Sequence, residues 1–259
     1  MNHIKNRFFI LRSINFGLIL IIITILFFSF LDIPIFKFTR TLNGQIFWFF
    51  ENVIDPISNI FDPFNIAVLT LLFLIAGILL RNSMKEPSKK ALILSRFKTS
   101  ECIINTSLKY YILIFTHIIF SIIFTGIWCH LLKYILGVSR PKYFFLEGFE
   151  RLDNFNILHK VNALPSGHTQ AAFTLSILFM IYVNRFSFIV IIISLLIGLS
   201  RIFLSMHFPA DIILGAYIGL IGPLLTYVLF FEKKFKAINL EKILKLRVFI
   251  KLLYYKLYL

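Results

Sequence analysis

The sequence predicts an all-α, polytopic membrane protein with about six transmembrane helices and one further helix that lies at the outer interface of the same bilayer. Of its 259 residues, 59% are hydrophobic and 15% are charged, and the mean hydropathy is +0.87. A soluble domain of this size is about half apolar and about a quarter charged. The apolar runs extend along the whole chain and leave no room for a separate soluble module. We therefore expect one membrane domain over residues 1–232 and a basic tail over residues 233–259.

Six segments approach the roughly 20 apolar residues that a helix needs to cross a bilayer. The basic residues before the first segment resemble the start of a signal peptide, but no small-residue cleavage site follows, so we expect a membrane helix there. An even number of crossings places both termini on one side. The segments are residues 16–36, 64–80, 110–136, 168–183, 186–204 and 211–231.

The distribution of charge predicts the orientation, because cytoplasmic loops retain Lys and Arg during insertion. Four parts of the chain together carry 19 basic and 4 acidic residues, namely the N-terminus, residues 81–109, the turn at Arg185 and the stretch from Glu232 to the end. The rest of the chain carries 8 of each. We expect both termini in the cytoplasm and the neutral face in the periplasm or outside the cell. The net charge of +15 thus marks a membrane face, and we expect no nucleic-acid partner.

Two amphipathic stretches lie outside the six segments. Residues 41–60 mix four consecutive aromatic residues with Asn, Glu and Asp, which is typical of a helix in the outer interface. The tail alternates Lys with Leu, Ile, Phe and Tyr. It is either a basic interfacial helix that holds anionic lipid head groups or a partly disordered solubilising tail.

Three polar motifs lie at the outer ends of the predicted segments. Ionisable residues near a membrane are costly, at about 2.5–3.5 kcal/mol for a central Arg or Lys, so such clusters indicate function. The motifs are K-x6-R-P at Lys133, Arg140 and Pro141; P-S-G-H at Pro165, Ser166, Gly167 and His168; and S-R-x5-H-x3-D at Ser200, Arg201, His207 and Asp211.

The cations of these motifs predict a phosphate site. Lys133 and Arg140 are two helical turns apart and can lean to one side, and we expect Pro141 to end their helix. With Arg201 they would surround one point, and guanidinium groups match phosphate oxygens bidentately. The turn at Ser166 and Gly167 opens a helix, where unpaired N–H groups attract anions.

The two histidines of the motifs predict the chemistry. Pro209 is favourable in the first turn of a helix, which puts Asp211 in that turn and His207 just before it. A carboxylate four residues after a histidine can accept its Nδ1–H and leave Nε2 to attack phosphorus. His168 can then protonate the leaving oxygen. Singly, such cations are more often membrane anchors, and isolated residues such as His117, His130 and His159 more often pack structurally.

The three motifs make the sequence similar to the type 2 phosphatidic acid phosphatase family, whose signature they match without substitution. The resemblance implies a membrane phosphatase that needs no metal and no cofactor and acts on a phosphorylated membrane lipid. It implies that His207 is the nucleophile, Asp211 its orienting group and His168 the general acid. It also implies a set of phosphate-binding residues, namely Lys133, Arg140, Ser166, Gly167 and Arg201.

The signature leaves the substrate open among phosphatidic acid, phosphatidylglycerol phosphate, undecaprenyl diphosphate and lipid A phosphates. The composition, which is rich in Ile, Lys, Asn and Phe, is typical of an AT-rich bacterial genome. A periplasm-facing site in a bacterial inner (plasma) membrane then favours the last three of these lipids. Two other functions stay open at this point. A lipid phosphotransferase would use the same site and pass the phosphoryl group to another lipid. An anion transporter would bind without hydrolysis, but it predicts charges near the middle of the segments, whereas these lie at the outer ends. Cys102 and Cys129 have no metal-ligand spacing, and we expect unpaired thiols.

Overall fold

The computed structural model describes residues 8–183 and 186–256, and it is helical over most of them. The predicted turn at Arg185 and both extreme ends of the chain lie outside the described residues. We number ten helices along this part of the chain. They are α1 (Ile14–Thr39), α2 (44–60), α3 (Pro63–Ser83), α4 (Pro87–Phe97), α5 (Glu101–Leu136), α6 (Pro141–Leu146), α7 (Gly167–Tyr182), α8 (Ser187–Phe203), α9 (Pro209–Lys236) and α10 (Leu246–Lys256).

All six predicted segments are helical, which confirms the all-α membrane class. Four stretches within the described ranges are long and apolar enough to cross a membrane, namely Ile14–Thr39, Gly44–Ser83, Glu101–Leu136 and Pro209–Lys236. Helix α8 is apolar but has 17 residues, and α7 has 16. The number of crossings therefore stays a prediction.

Local sequence explains where several helices begin. The side chain of Ser13 accepts a hydrogen bond from the N–H of Phe16, and that of Asn43 accepts one from Gln45. Such oxygens satisfy N–H groups that have no partner within the helix. Proline is the first residue of α3, α4, α6 and α9, where its missing N–H costs nothing.

The chain divides into two compact units, and the first contains Met1–Asn65 and Ser121–Leu225. In this unit α7 and α8 pack together, with the hydroxyls of Ser176 and Ser194 2.6 Å apart. Helix α2 lies against both, because Phe50 and Ile54 are buried with residues of α7 and α8. Residues 44–60 of the predicted stretch 41–60 are thus helical, and their apolar face packs on protein helices.

Two glycines allow α9 to approach α7 closely. A Cβ atom on Gly215 would lie 2.6 Å from the carbonyl oxygen of Ser166. On Gly219 it would meet the carbonyl oxygen of Gln170 and lie 2.7 Å from Cβ of Phe173. Small residues at such positions let helix backbones touch. This contact fixes the start of α7 against the first turns of α9.

The second unit contains Ile66–Phe120 and Thr226–Leu259. Its tail is an ordered amphipathic helix over Leu246–Lys256. The ring of Phe249 stacks on Tyr111 at 4.1 Å, and the Tyr111 hydroxyl donates to the carbonyl of Leu244 at 2.7 Å. Lys245, Arg247 and Lys251 are exposed. The tail is therefore helical over Leu246–Lys256, and its binding of anionic lipid head groups stays a prediction.

We predict that Gly219→Ala destabilises the protein by about 1–3 kcal/mol, because the new methyl group overlaps the α7 backbone. Thermal unfolding in detergent should show a lower midpoint. Gly126→Ala is the matched control, since a Cβ atom there meets nothing within 4 Å. Equal midpoints for the two variants would contradict the proposed close contact.

Candidate active site

All residues of the three motifs lie in the first unit. The turn of the second motif is joined to the third, since the N–H of Ser166 donates to the carbonyl of Asp211 at 2.8 Å. Ser166 is fully buried and caps α7, where its Oγ accepts from the Thr169 hydroxyl at 2.9 Å. An oxygen that accepts this bond can still donate its own hydrogen. Ser166 therefore has both a structural contact and one hydrogen to offer a ligand.

His207 and Asp211 form a buried pair. Nδ1 of His207 lies 3.2 Å from Oδ2 of Asp211, the contact that their four-residue spacing predicts. The same oxygen accepts the N–H of Phe208 at 2.8 Å. These contacts hold the carboxylate on the Nδ1 side of the ring and leave Nε2 outside the pair.

The surroundings of His207 keep its ring neutral. Burial lowers the pKa of His207 well below its ordinary value, and the positive charges of Lys133 and Arg140 lower it further. Arg201 and His168 act in the same direction. A neutral imidazole is the form that can attack phosphorus.

Lys133 and Arg140 are held by the loop that precedes α7. Nζ of Lys133 donates to the carbonyl of Asn162 at 2.7 Å, and Nε of Arg140 donates to the carbonyl of His159 at 3.0 Å. Burial lowers the pKa of Arg140, while Asp211 opposes that change. Lys133 also approaches the turn of the second motif, since its Cε would lie 3.9 Å from a Cβ atom on Gly167.

The prediction that Lys133 and Arg140 lie on one helix, which Pro141 ends, is wrong. Helix α5 ends at Leu136, and Gly137 has a φ of +54°, which favours glycine. The carbonyl of Asp153 fills the place that a side chain on Gly137 would need. Pro141 begins α6 and does not end α5, so Lys133 and Arg140 lie on different elements.

Arg201 has partners that sequence analysis missed. Its side chain is 6% exposed, and its Nη2 forms an ion pair with Asp55 and a hydrogen bond to the hydroxyl of Ser58 at 3.1 Å. Both partners belong to α2. One pattern in the sequence could have placed Ser58 on the buried face of α2, because Ser58 continues the four-residue spacing of the buried Phe50 and Ile54.

A second pair also escaped sequence analysis. Asp32, at 0% exposure, forms an ion pair with Arg151, and its other oxygen accepts the N–H of Ala210 at 2.8 Å. The Arg151 guanidinium lies 3.7 Å from the ring centre of Phe208. Asp32 and Arg151 therefore contact the residues on either side of Pro209, at the start of α9.

The remaining histidines have different surroundings. His168 lies in the first turn of α7 and is exposed. His117 is buried in the second unit, with Nε2 3.1 Å from Oγ1 of Thr226. Cys102 and Cys129 are free thiols, as expected.

Residues 114–235 match the model of the PAP2 superfamily, and this range contains all three motifs. The matched range is slightly under half of the chain, and over it the chain is similar to proteins of the PAP2 superfamily. The match confirms the family that the motifs indicated. The PAP2 range does not include three residues that contact motif residues or their neighbours, namely Asp32, Asp55 and Ser58.

Curated relatives align with parts of the chain. A lipid A 1-phosphatase of Rhizobium johnstonii is 27% identical over 114 residues, which are 44% of this chain and 47% of that protein. One of Rhizobium etli is 26% identical over 110 residues, 42% and 47% of the two chains. The bacitracin transport permease protein BcrC of Bacillus licheniformis is 28% identical over 96 residues, 36% and 46%. The alignments thus span about half the length of each relative, and no solved structure matches the chain.

We predict that Asp55→Asn increases the affinity of the site for inorganic phosphate. Asn keeps a hydrogen-bonding oxygen near Arg201 but removes the negative charge that competes with an anion. The Asp55 side chain is 39% exposed, and an ion pair with such access to water is worth about 1 kcal/mol. We therefore expect about a fivefold lower dissociation constant by calorimetry. Asp62→Asn, at an exposed helix cap of the same region, is the control and should change nothing. Unchanged or weaker binding by Asp55→Asn would show that Asp55 does not compete with the anion.

Proposed function

We propose that the protein is a membrane lipid phosphate phosphatase that works through a phosphohistidine on His207. The observation that carries this proposal is the buried His207–Asp211 pair, on which the charges of three motif cations act. The three cations are Lys133, Arg140 and Arg201. Such a site combines an activated nucleophile with positive charge where a phosphoryl group would bind.

In the first step, Nε2 of His207 attacks phosphorus while Nδ1–H stays hydrogen-bonded to Asp211. The bond between phosphorus and the lipid oxygen breaks, and His168, which starts the cycle in its protonated form, donates a proton to that oxygen. In the second step, water gives its proton to His168 and attacks phosphorus, so the P–N bond breaks and inorganic phosphate leaves. Both histidines then return to their starting state, with no net change in the protein.

The phosphate would be held by Lys133, Arg140 and Arg201, with the hydroxyl of Ser166 and the N–H groups of the turn at Gly167 as further donors. These are fixed donors, because each of the three cations already has hydrogen bonds within the protein. Phosphate monoester hydrolysis needs up to about 10²¹-fold acceleration, and prearranged positive charge is a large part of such effects. We propose that these groups act without a metal ion or cofactor.

Two of the relatives are named lipid A 1-phosphatase, which supports a lipid substrate. We propose a phosphomonoester or diphosphate lipid of the lipid A, undecaprenyl diphosphate or phosphatidylglycerol phosphate type.

We further propose that the site faces the periplasm and that both termini are cytoplasmic in the bacterial inner membrane. Helix α5 supports this orientation, since it carries Lys109 near one end and Lys133 near the other. At 1.5 Å per residue they are about 36 Å apart along the axis, more than the roughly 30 Å hydrocarbon core. The two lysines therefore belong at opposite membrane faces, and Lys109 lies in the strongly basic group.

We predict that His207→Ala reduces release of inorganic phosphate from lipid phosphates at least about a thousandfold, because the covalent route is lost. The assay uses purified protein in detergent with a panel of mono- and diphosphate lipids, with and without EDTA. His130→Gln is the control, because His130 is exposed and lies outside the motifs.

Three results would contradict the proposal. Unchanged release by His207→Ala would exclude His207 as the nucleophile, and loss of wild-type activity in EDTA would exclude metal independence. With a ³²P-labelled lipid phosphate as substrate, transfer of the label to another lipid with little free phosphate would identify a phosphotransferase.

A further inference from the structure

We propose that a pocket next to the candidate site selects lipids that carry a second anionic group beside the phosphate to be cleaved. This inference rests on the proposed phosphatase function and narrows its substrate class. The pocket has a volume of about 590 Å³ and lies within the first unit. We call it the basic pocket, since its lining includes Lys37, Arg40 and Lys142.

The basic pocket adjoins two of the three motifs. Its lining includes Pro141, which follows Arg140, and Ser205, which lies two residues before His207. The two segments meet in the pocket wall, where the N–H of Lys142 donates to the carbonyl of Ser205 at 3.1 Å. A ligand in the pocket would therefore lie beside the proposed phosphate site.

One wall of the basic pocket is aromatic. The ring of Phe36 lines the pocket, and its centre lies 5.6 Å from that of Phe208, the residue after His207. Phe145 stacks on Phe36 at 5.2 Å. Leu146 and Leu204 complete an apolar surface that suits an alkyl chain. The pocket thus fits the part of a lipid where the chain meets the head group.

The three cations of the pocket differ in how many contacts they make with the rest of the protein. The Arg40 guanidinium donates to the carbonyls of Ile202 and Phe203 and lies 4.4 Å from the ring centre of Phe36, so it is a fixed part of the wall. Lys37 and Lys142 are exposed. Within residues 8–183 and 186–256, neither ammonium group is recorded with a hydrogen bond or an ion pair, and that of Lys142 lies 5.9 Å from the ring centre of Tyr143.

Three acidic side chains of the first unit are paired with cations other than Lys37 and Lys142. Asp32 pairs with Arg151, Asp55 with Arg201 and Glu147 with Lys160. Two ammonium groups at an apolar pocket therefore have no protein counter-ion among these carboxylates. Charge complementarity favours an anionic group on the substrate itself, close to its alkyl chain.

The proposal predicts a selective change in KM. Removal of both charges should weaken binding of the second anionic group equally in the ground state and in the transition state, which raises KM and leaves kcat unchanged. Two exposed charge contacts correspond to about a tenfold effect.

The test compares the wild type with the double variant K37Q/K142Q on two matched pairs of substrates. One pair is phosphatidylglycerol phosphate and phosphatidic acid with the same acyl chains, and the other is farnesyl diphosphate and farnesyl monophosphate. We expect a tenfold higher KM for the doubly anionic member of at least one pair and less than a twofold change for its partner. K233Q/K234Q, which removes two exposed lysines of the second unit, is the control for net charge.

The outcomes separate the two proposals. If the wild type releases phosphate neither from these four lipids nor from lipid A, the proposed function fails. Release from lipid A but from none of the four would leave the proposed function standing and would overturn the inference about the basic pocket. If the wild type is active and the KM values of K37Q/K142Q match those of the wild type, or rise equally for both members of each pair, the basic pocket does not recognise a second anion. A lower kcat with unchanged KM would also overturn the inference.

Discussion

The hydrogen bond from the N–H of Ser166 to the carbonyl of Asp211 joins the two halves of the candidate site. It fixes the turn that opens α7 against the first turn of α9, and Gly215 makes room for it by lacking a Cβ atom. Because His207 precedes α9 and His168 begins α7, this junction sets both histidines relative to one another. The positions of the cations determine which ligand the two histidines can bind. Lys133 and Arg140 both donate hydrogen bonds to the loop that leads into α7.

A concentrated positive charge is costly to bury, and the protein compensates it with carboxylates from its N-terminal helices. Asp55 of α2 pairs with Arg201, and Asp32 of α1 pairs with Arg151 at the start of α9. Buried charges are stable when they are paired and hydrogen-bonded. These carboxylates lie outside the range that matches the PAP2 superfamily, so the electrostatic balance of the site depends on residues that its motifs do not include.

Local patterns in the sequence predicted much of this structure, and contacts over long distances in the chain did not. Apolar runs located all six segments, and a spacing of four residues predicted the contact between His207 and Asp211, because both depend on helix geometry. The break after Leu136 was missed, since it depends on a left-handed glycine whose side-chain position is filled by Asp153 from a distant loop. The pair of Asp55 with Arg201 joins residues 146 positions apart, and no local pattern specifies such a partner. The helices α7 and α8 are short, which is why composition alone does not fix the number of crossings.

Identification of the phosphorylated atom during turnover tests the central chemical claim most directly. Wild-type protein would be mixed with a ³²P-labelled lipid phosphate, quenched in alkali, and mapped by peptide mass spectrometry and ³¹P NMR. Because Nδ1 of His207 faces Asp211, we predict label on Nε2 of His207. Label on Nδ1 or on His168, or unlabelled protein during active turnover, would contradict the claim.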